Sequence, residues 1–109
     1  MRISPVEADS PVAQNVTVSD DALTVNLSDG RILVVPLTWF PRLLHGSTVE
    51  RSNWRLIGKG SGIHWPDLDD DVSVGGLLLG QPSGESESSF QRWLQSRGLF
   101  SSDRPQRGR

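Results

Sequence analysis

An α+β fold, in which a small antiparallel sheet packs with short helices, is what this sequence predicts, and three observations predict it. Val16 and Val18, then Leu23, Val25 and Leu27, alternate with polar residues at the two-residue period of half-buried strands. Ser28-Asp29-Gly30 follows as a hairpin signal, because Asp-Gly readily takes the positive φ values of a tight reversal. Apolar residues at helical spacing come only in short stretches closed off by Pro or Gly.

Taken in order, residues 1–11 form a lead-in with Pro5 and Pro11, whose last part can join an edge strand. Asn15 to Ser19 is a first strand, Asp20-Asp21 a turn, and Ala22 to Leu27 a second strand. Arg31 to Val35 returns from the hairpin, and its unbroken run Ile32, Leu33, Val34 and Val35 predicts a central strand packed on both sides, or one tilted at its end. Pro36 ends it. Thr38 is the expected N-cap of a short helix holding Trp39, Phe40, Leu43 and Leu44, with Pro41 at the third helical position. Gly46 closes that helix, and Ser47 with Glu50 forms a capping box for another that runs to about Asn53 or Trp54. Gly58-Lys59-Gly60-Ser61-Gly62 reads as a turn between extended segments, lacking the spacing of a phosphate-binding loop. Asp67 to Asp71 reads as an acidic surface turn. Val72 to Gly80 is then a short helix with Ser73 near its start.

The chain has 109 residues, enough for one domain, and no cysteine, which excludes disulfides and thiolate chemistry. We expect residues 1–82 to form the core domain and residues 83–109 to form a linker, a short amphipathic helix and a basic disordered tail. In the latter, Ser88 and Gln91 offer a capping box before Phe90, Trp93 and Leu94. A helix this short is marginal alone, so it must dock on the body, on a partner, or on a second copy, which leaves a homo-oligomer open. No segment has the length of a membrane span or the pattern of a secretion signal, so a cytoplasmic location is the default expectation. Residues 1–80 carry ten acidic and six basic side chains, and residues 81–109 three acidic and five basic. An acidic body argues against direct nucleic-acid binding, leaving only the tail arginines for weak contacts.

Chemistry concentrates between Gly62 and Asp71, where His64 and Trp65 stand beside Asp67, Asp69, Asp70 and Asp71. A calcium loop counted from Asp67 would need glycine at Val72 and glutamate at Leu78, and has neither. No serine lies in a nucleophile elbow. A metal-dependent enzyme using His64 with the adjacent aspartates is therefore the alternative reading, and no cofactor is expected. Trp39, Trp54, Trp65 and Trp93 each combine a large apolar area with one N–H, which suits cores and binding hot spots alike. Arg42, next to Trp39-Phe40-Pro41, is expected either at a polar contact surface or in an internal ion pair with Asp69 or Asp70.

Leu27-Ser28-Asp29-Gly30-Arg31, Val35-Pro36-Leu37, Trp39-Phe40-Pro41-Arg42-Leu43, Asn53-Trp54, Gly62-Ile63-His64-Trp65-Pro66 and Asp67-Leu68-Asp69 together resemble the bacterial domain-of-unknown-function family 2442 over about residues 12–82. The resemblance implies an α+β domain similar to the N-terminal domain of a Nitrosomonas protein. It also implies a two-protein module, since relatives are encoded near small proteins of domain-of-unknown-function family 4160, an arrangement suggestive of toxin and antitoxin. Some relatives carry a helix-turn-helix domain after the core. Residues 83–109 hold only one helical segment, which speaks against autonomous DNA binding here.

The expected function is thus a non-enzymatic intracellular protein-interaction module, the antitoxin-like or regulatory member of a pair, binding a small basic protein such as one of family 4160. A nucleic-acid-associated regulator working through the tail is a further alternative. The expected recognition surface is Trp39, Arg42, His64, Trp65, Asp67, Asp69 and Asp70, with Phe90, Trp93 and Leu94 as a second contact.

Overall fold

Chain reversal at Asp29-Gly30 organises the first half of the molecule. The computed structural model describes residues 10–98. In it β1 (Ala13–Val18), β2 (Ala22–Leu27) and β3 (Ile32–Pro36) form an antiparallel sheet in the order β1-β2-β3. The β2–β3 loop is the bulged three-residue type, in which Leu27 N–H donates to the Arg31 carbonyl at 2.9 Å and Gly30 N–H to the Leu27 carbonyl at 3.1 Å. Gly30 has φ +95°, the left-handed conformation this loop needs at its last position. The Asp29 carboxylate pins the loop by accepting from Arg31 N–H at 3.0 Å and Arg31 Nε at 2.8 Å.

The continuous apolar run of β3 does not mark a central strand. Among the described residues β3 pairs with β2 alone, and while Val35 turns to the core, Ile32 and Val34 are 58% and 64% exposed on the other face. After Pro36 the expected single helix is two pieces, a 3-10 turn at Leu37–Trp39 and α1 (Pro41–His45). Phe40 breaks them with φ −129° and ψ 86°, so Pro41 takes the first helical position, where its missing N–H costs nothing, and Thr38 caps neither piece. α2 (Thr48–Ser52) has its capping box complete, with Ser47 Oγ accepting from Glu50 N–H at 3.1 Å and Glu50 Oε1 from Ser47 N–H at 2.9 Å.

A second antiparallel sheet follows, β4 (Arg55–Ile57), β5 (Gly62–Trp65) and β6 (Asp70–Ser73) in the order β4-β5-β6. The glycine-rich segment supplies the β4–β5 turn, where Gly60 has φ +91° and a Cβ would stand 2.9 Å from the Ala13 carbonyl oxygen. Only glycine lets the turn lie this close to β1. β6 corrects the acidic run, half of which is strand rather than turn. Ser73 then caps α3 (Val74–Leu78) by accepting from Gly76 N–H at 3.1 Å. Beyond the linker, α4 (Glu87–Gly98) begins two residues earlier than expected, and Ser86 rather than Ser88 accepts from Ser89 N–H. The tail from residue 99 and the lead-in through residue 9 lie outside the described residues.

One hydrophobic cluster joins both sheets, with Val16, Leu23, Val25 and Val35 from the first and Ile63, Trp65 and Val72 from the second. Leu37, Phe40, Leu43, Leu68 and Leu77 fill the space between. Trp65 is its largest fully buried side chain, and its indole N–H donates to the Arg51 carbonyl at 2.9 Å. Arg51 is itself buried, donating from Nε to the Leu43 carbonyl and from Nη2 to the Leu44 carbonyl at 2.8 Å each, and from Nη1 to Asp20 at 3.0 Å. Among the described residues no helix is long and apolar enough to cross a membrane.

These contacts set the cost of changing Trp65. Trp65→Ala is expected to lower unfolding free energy by about 3–5 kcal/mol. Trp65→Phe, which keeps most of the bulk but strands the Arg51 carbonyl, is expected to cost about 1–3 kcal/mol. Urea denaturation followed by circular dichroism measures both.

Candidate recognition surface

Arg42 stands on α1, and its three guanidinium nitrogens are all engaged. Nε donates to Glu85 Oε1 at 2.9 Å and Nη2 to Glu85 Oε2 at 2.5 Å, a two-pronged pair in which both side chains are largely buried. Nη1 donates to the carbonyls of Leu68 and Asp69 at 3.2 and 2.9 Å. The same guanidinium carbon lies 5.1 Å from the centre of the Trp93 ring, and that of Arg97 lies 4.7 Å from it. Arg97 in turn grips Glu50 at 2.9 and 3.1 Å, and Phe90 meets the His45 ring edge-on at 5.2 Å. α4 therefore docks on its own body, mainly through charge-assisted contacts and one half-buried tryptophan.

The acidic run is dispersed by the sheet. Successive strand residues face opposite ways, so the opposed pair His64 and Asp71 shares one face while Trp65 and Asp70 share the other. His64, half-buried, makes a close Nδ1 to Oδ1 contact with Asp71. Asp70 sits half-buried on the Arg42 side. Asp67 and Asp69 belong to the turn between β5 and β6, Asp67 accepting from Asn53 Nδ2 at 3.0 Å. Among the described residues no three His, Cys, Asp or Glu side chains converge as metal ligands would. An open cleft of about 190 Å³ runs beside Asp71, Ser73, Gly76 and Ser83, and His64 does not line it. Ser73 Oγ there is already occupied as a helix cap.

The expected surface divides accordingly. Trp65 has no exposed area and belongs to the core, so it cannot meet a partner. Trp39 is half-buried against the core, Arg42 is taken up by Glu85, and Phe90, Trp93 and Leu94 are all half-buried on α4. Asp67 and Asp69 are exposed, and the Asp69 side chain is 91% accessible. Asp69 lies only 3.8 Å from Arg42 Nη1, but Glu85 is the main partner of that arginine. Glu85 was missed because its neighbours Pro82, Ser83, Gly84 and Ser86 have the composition of a linker.

Electrostatics follow from these positions. The Arg42 guanidinium holds the Glu85 carboxyl below its usual range, and Arg97 does the same to Glu50. Asp70 is pushed up to about 6, first because burial disfavours its charged form, although Arg42 opposes the shift.

Two small antiparallel sheets with short helices around a single core define an α+β domain. The chain belongs to the family described as Protein of unknown function (DUF2442), whose model matches residues 13–83. It is similar to a protein of unknown function from Rhodospirillum rubrum, with 26% identity over 73% of this chain and 96% of that one, and a TM-score of 0.61. An uncharacterized protein from Chromobacterium violaceum shares the fold at 18% identity, over 90% of this chain and 86% of that one, with a TM-score of 0.62. Comparison with curated proteins gives no match.

Two outcomes test this geometry. Arg42→Ala leaves Glu85 half-buried without its partner, and is expected to detach α4, shift Trp93 fluorescence to the red, and cost about 2–4 kcal/mol. For Asp70, a folded pKa near 6 lies above the ordinary 3.8, so the folded chain keeps a proton that the unfolded chain has released, and stability falls as pH rises from about 4 to about 6. Glu85 and Glu50, being lowered, act oppositely, and their contribution is lost as pH drops below about 4.5. Asp70→Asn should abolish the fall between pH 4 and 6 and raise the urea midpoint at pH 7.

Proposed function

We propose that this chain is a non-enzymatic protein-interaction module, the antitoxin-like or regulatory member of a cytoplasmic two-protein system. It presents the carboxylates of the β5–β6 turn to a basic protein partner. One observation carries the reading. Asp69 has φ +50°, a left-handed conformation uncommon outside glycine, and its carboxylate is almost fully exposed while Arg42 binds the carbonyls on either side of its own N–H. A buried guanidinium thus holds an exposed anion in a fixed place, which lowers the ordering cost of binding a cation there. Asp67, restrained by Asn53, stands in the same turn. The family resemblance supplies the partner class, a small basic protein of domain-of-unknown-function family 4160.

The close contact of His64 with Asp71 favours a second reading, acid–base chemistry at His64, since a carboxylate on Nδ1 orients an imidazole. Asp71 lines the open cleft of about 190 Å³, whereas His64 itself does not.

Affinity capture from the native host tests the proposal. The wild-type chain is expected to retain a Lys/Arg-rich protein that is released by ~0.5 M salt, as screened ion pairs would be. Asp67→Asn with Asp69→Asn should lose it, and His64→Ala should keep it. Equal retention by the double Asn variant would sink the proposal, and loss with His64→Ala alone would move the site to the His64–Asp71 face.

A further inference from the structure

Among the described residues the two sheets have four edge strands, and three of them are blunted. β1 carries a bulge between Ala13 and Asn15, and the β4–β5 turn packs on its Ala13 carbonyl. β4 has three residues and opens with Arg55. β6 opens with Asp70 and Asp71. Charges, bulges and short length are the usual defences of an edge against pairing with another chain. β3, Ile-Leu-Val-Val-Pro, carries no charge and no bulge, and its defences are Pro36 at its end and α3, which packs beside it.

Hydrogen-bond parity shows which groups β3 leaves open. Leu27 N–H bonds the Arg31 carbonyl and Leu37 N–H bonds the Asp21 carbonyl, so the opposed pairs Leu27–Arg31 and Asp21–Leu37 are of the bonded kind. The registers between them alternate, which makes Val25–Leu33 and Leu23–Val35 bonded pairs as well. The N–H and C=O of Ile32 and Val34 then point away from β2, together with the C=O of Pro36. These same two residues are the ones whose side chains are exposed.

We infer that β3 is a self-pairing edge, through which two copies of this chain join β3 to β3 antiparallel about a two-fold at Leu33. In that register Ile32 exchanges both hydrogen bonds with Val34 of the second copy, and Val34 does so with its Ile32, so every outward group of both residues is used. The exposed Ile32 and Val34 side chains fall directly opposite each other and form one apolar stripe across the junction. A two-fold at Val34 would instead face the Ile32 carbonyl with Pro36, which has no N–H to give. Charge is compatible with the Leu33 register. The two Arg31 residues are offset by four positions, roughly 14 Å along the strands and beyond the Debye length at physiological salt.

Area sets the strength. A five-residue strand is about 17 Å long and buries well under the ~800 Å² per partner of a standard interface, so the dimer is weak and transient. Sedimentation velocity of the full chain from ~10 µM to ~1 mM is expected to show a monomer passing into a dimer. Val34→Lys should weaken association about tenfold or more, because it sets a charge on the paired edge. Val49→Lys, at an equally exposed site on α2, should leave it unchanged. Amide exchange on the wild type provides the second readout, with the Ile32 and Val34 amides gaining protection as concentration rises. A monomer throughout the range, or a dimer that survives both Val34→Lys and Ile32→Lys with those amides unprotected, would overturn the inference.

Discussion

A helix of five residues cannot satisfy its own ends, and the described core domain is built from helices of that length. Four N–H groups at one end and four carbonyls at the other need partners from outside such an element. Arg51 meets part of this need for α1. Arg51 reaches back across the Gly46 corner to the Leu43 and Leu44 carbonyls, and its own carbonyl receives the Trp65 indole N–H, so α1, α2 and β5 are locked at one point. Arg42 ties loops rather than helix ends, binding the carbonyls of the β5–β6 turn and the carboxylate of the linker. A lysine could not replace either, because each site uses a planar fork aimed at several acceptors at once.

Sequence density and spatial density differ here for a plain geometric reason. Asp70 and Asp71 are adjacent in the chain, but as strand residues they face opposite sides of the sheet, one toward Arg42 and the other toward His64. Asp67 and Asp69 lie in the turn instead. Four carboxylates within five residues therefore serve three environments. Burial raises the pKa of Asp70.

What was legible in the sequence were features written in local chemistry. The Asp29-Gly30 reversal, the Ser47–Glu50 capping box, the glycine turn and the Ser73 cap each depend on residues a few positions apart. The motif set of the family reached the fold itself, through residues 13–83. Less visible was anything decided by tertiary position. An apolar run such as Ile32 to Val35 reads the same in a central strand as in an edge strand, because periodicity cannot tell which neighbours exist. Phe40 breaks one expected helix in two because its ring must enter the core between Leu37 and Leu43. Glu85 sat unremarked in a linker, since its value lies in Arg42, forty-three residues away.

The docking of α4 decides which residues of the expected surface face water. Arg42 and Trp39 would make a persuasive recognition surface if the chain stopped at the linker, but Ser83 N–H bonds the Trp39 carbonyl at 2.9 Å and Glu85 covers the guanidinium. A partner for Arg42 would have to displace a two-pronged carboxylate and a tryptophan face together, at the cost of leaving Glu85 unpaired. No such displacement is needed at Asp67 and Asp69, whose carboxylates already face water. The internal clamp thus removes one side of the expected surface and stiffens the other, because the arginine that Glu85 holds in place is the one that fixes the Asp69 backbone. The β5–β6 turn and the docking of α4 are thereby joined through a single side chain, Arg42.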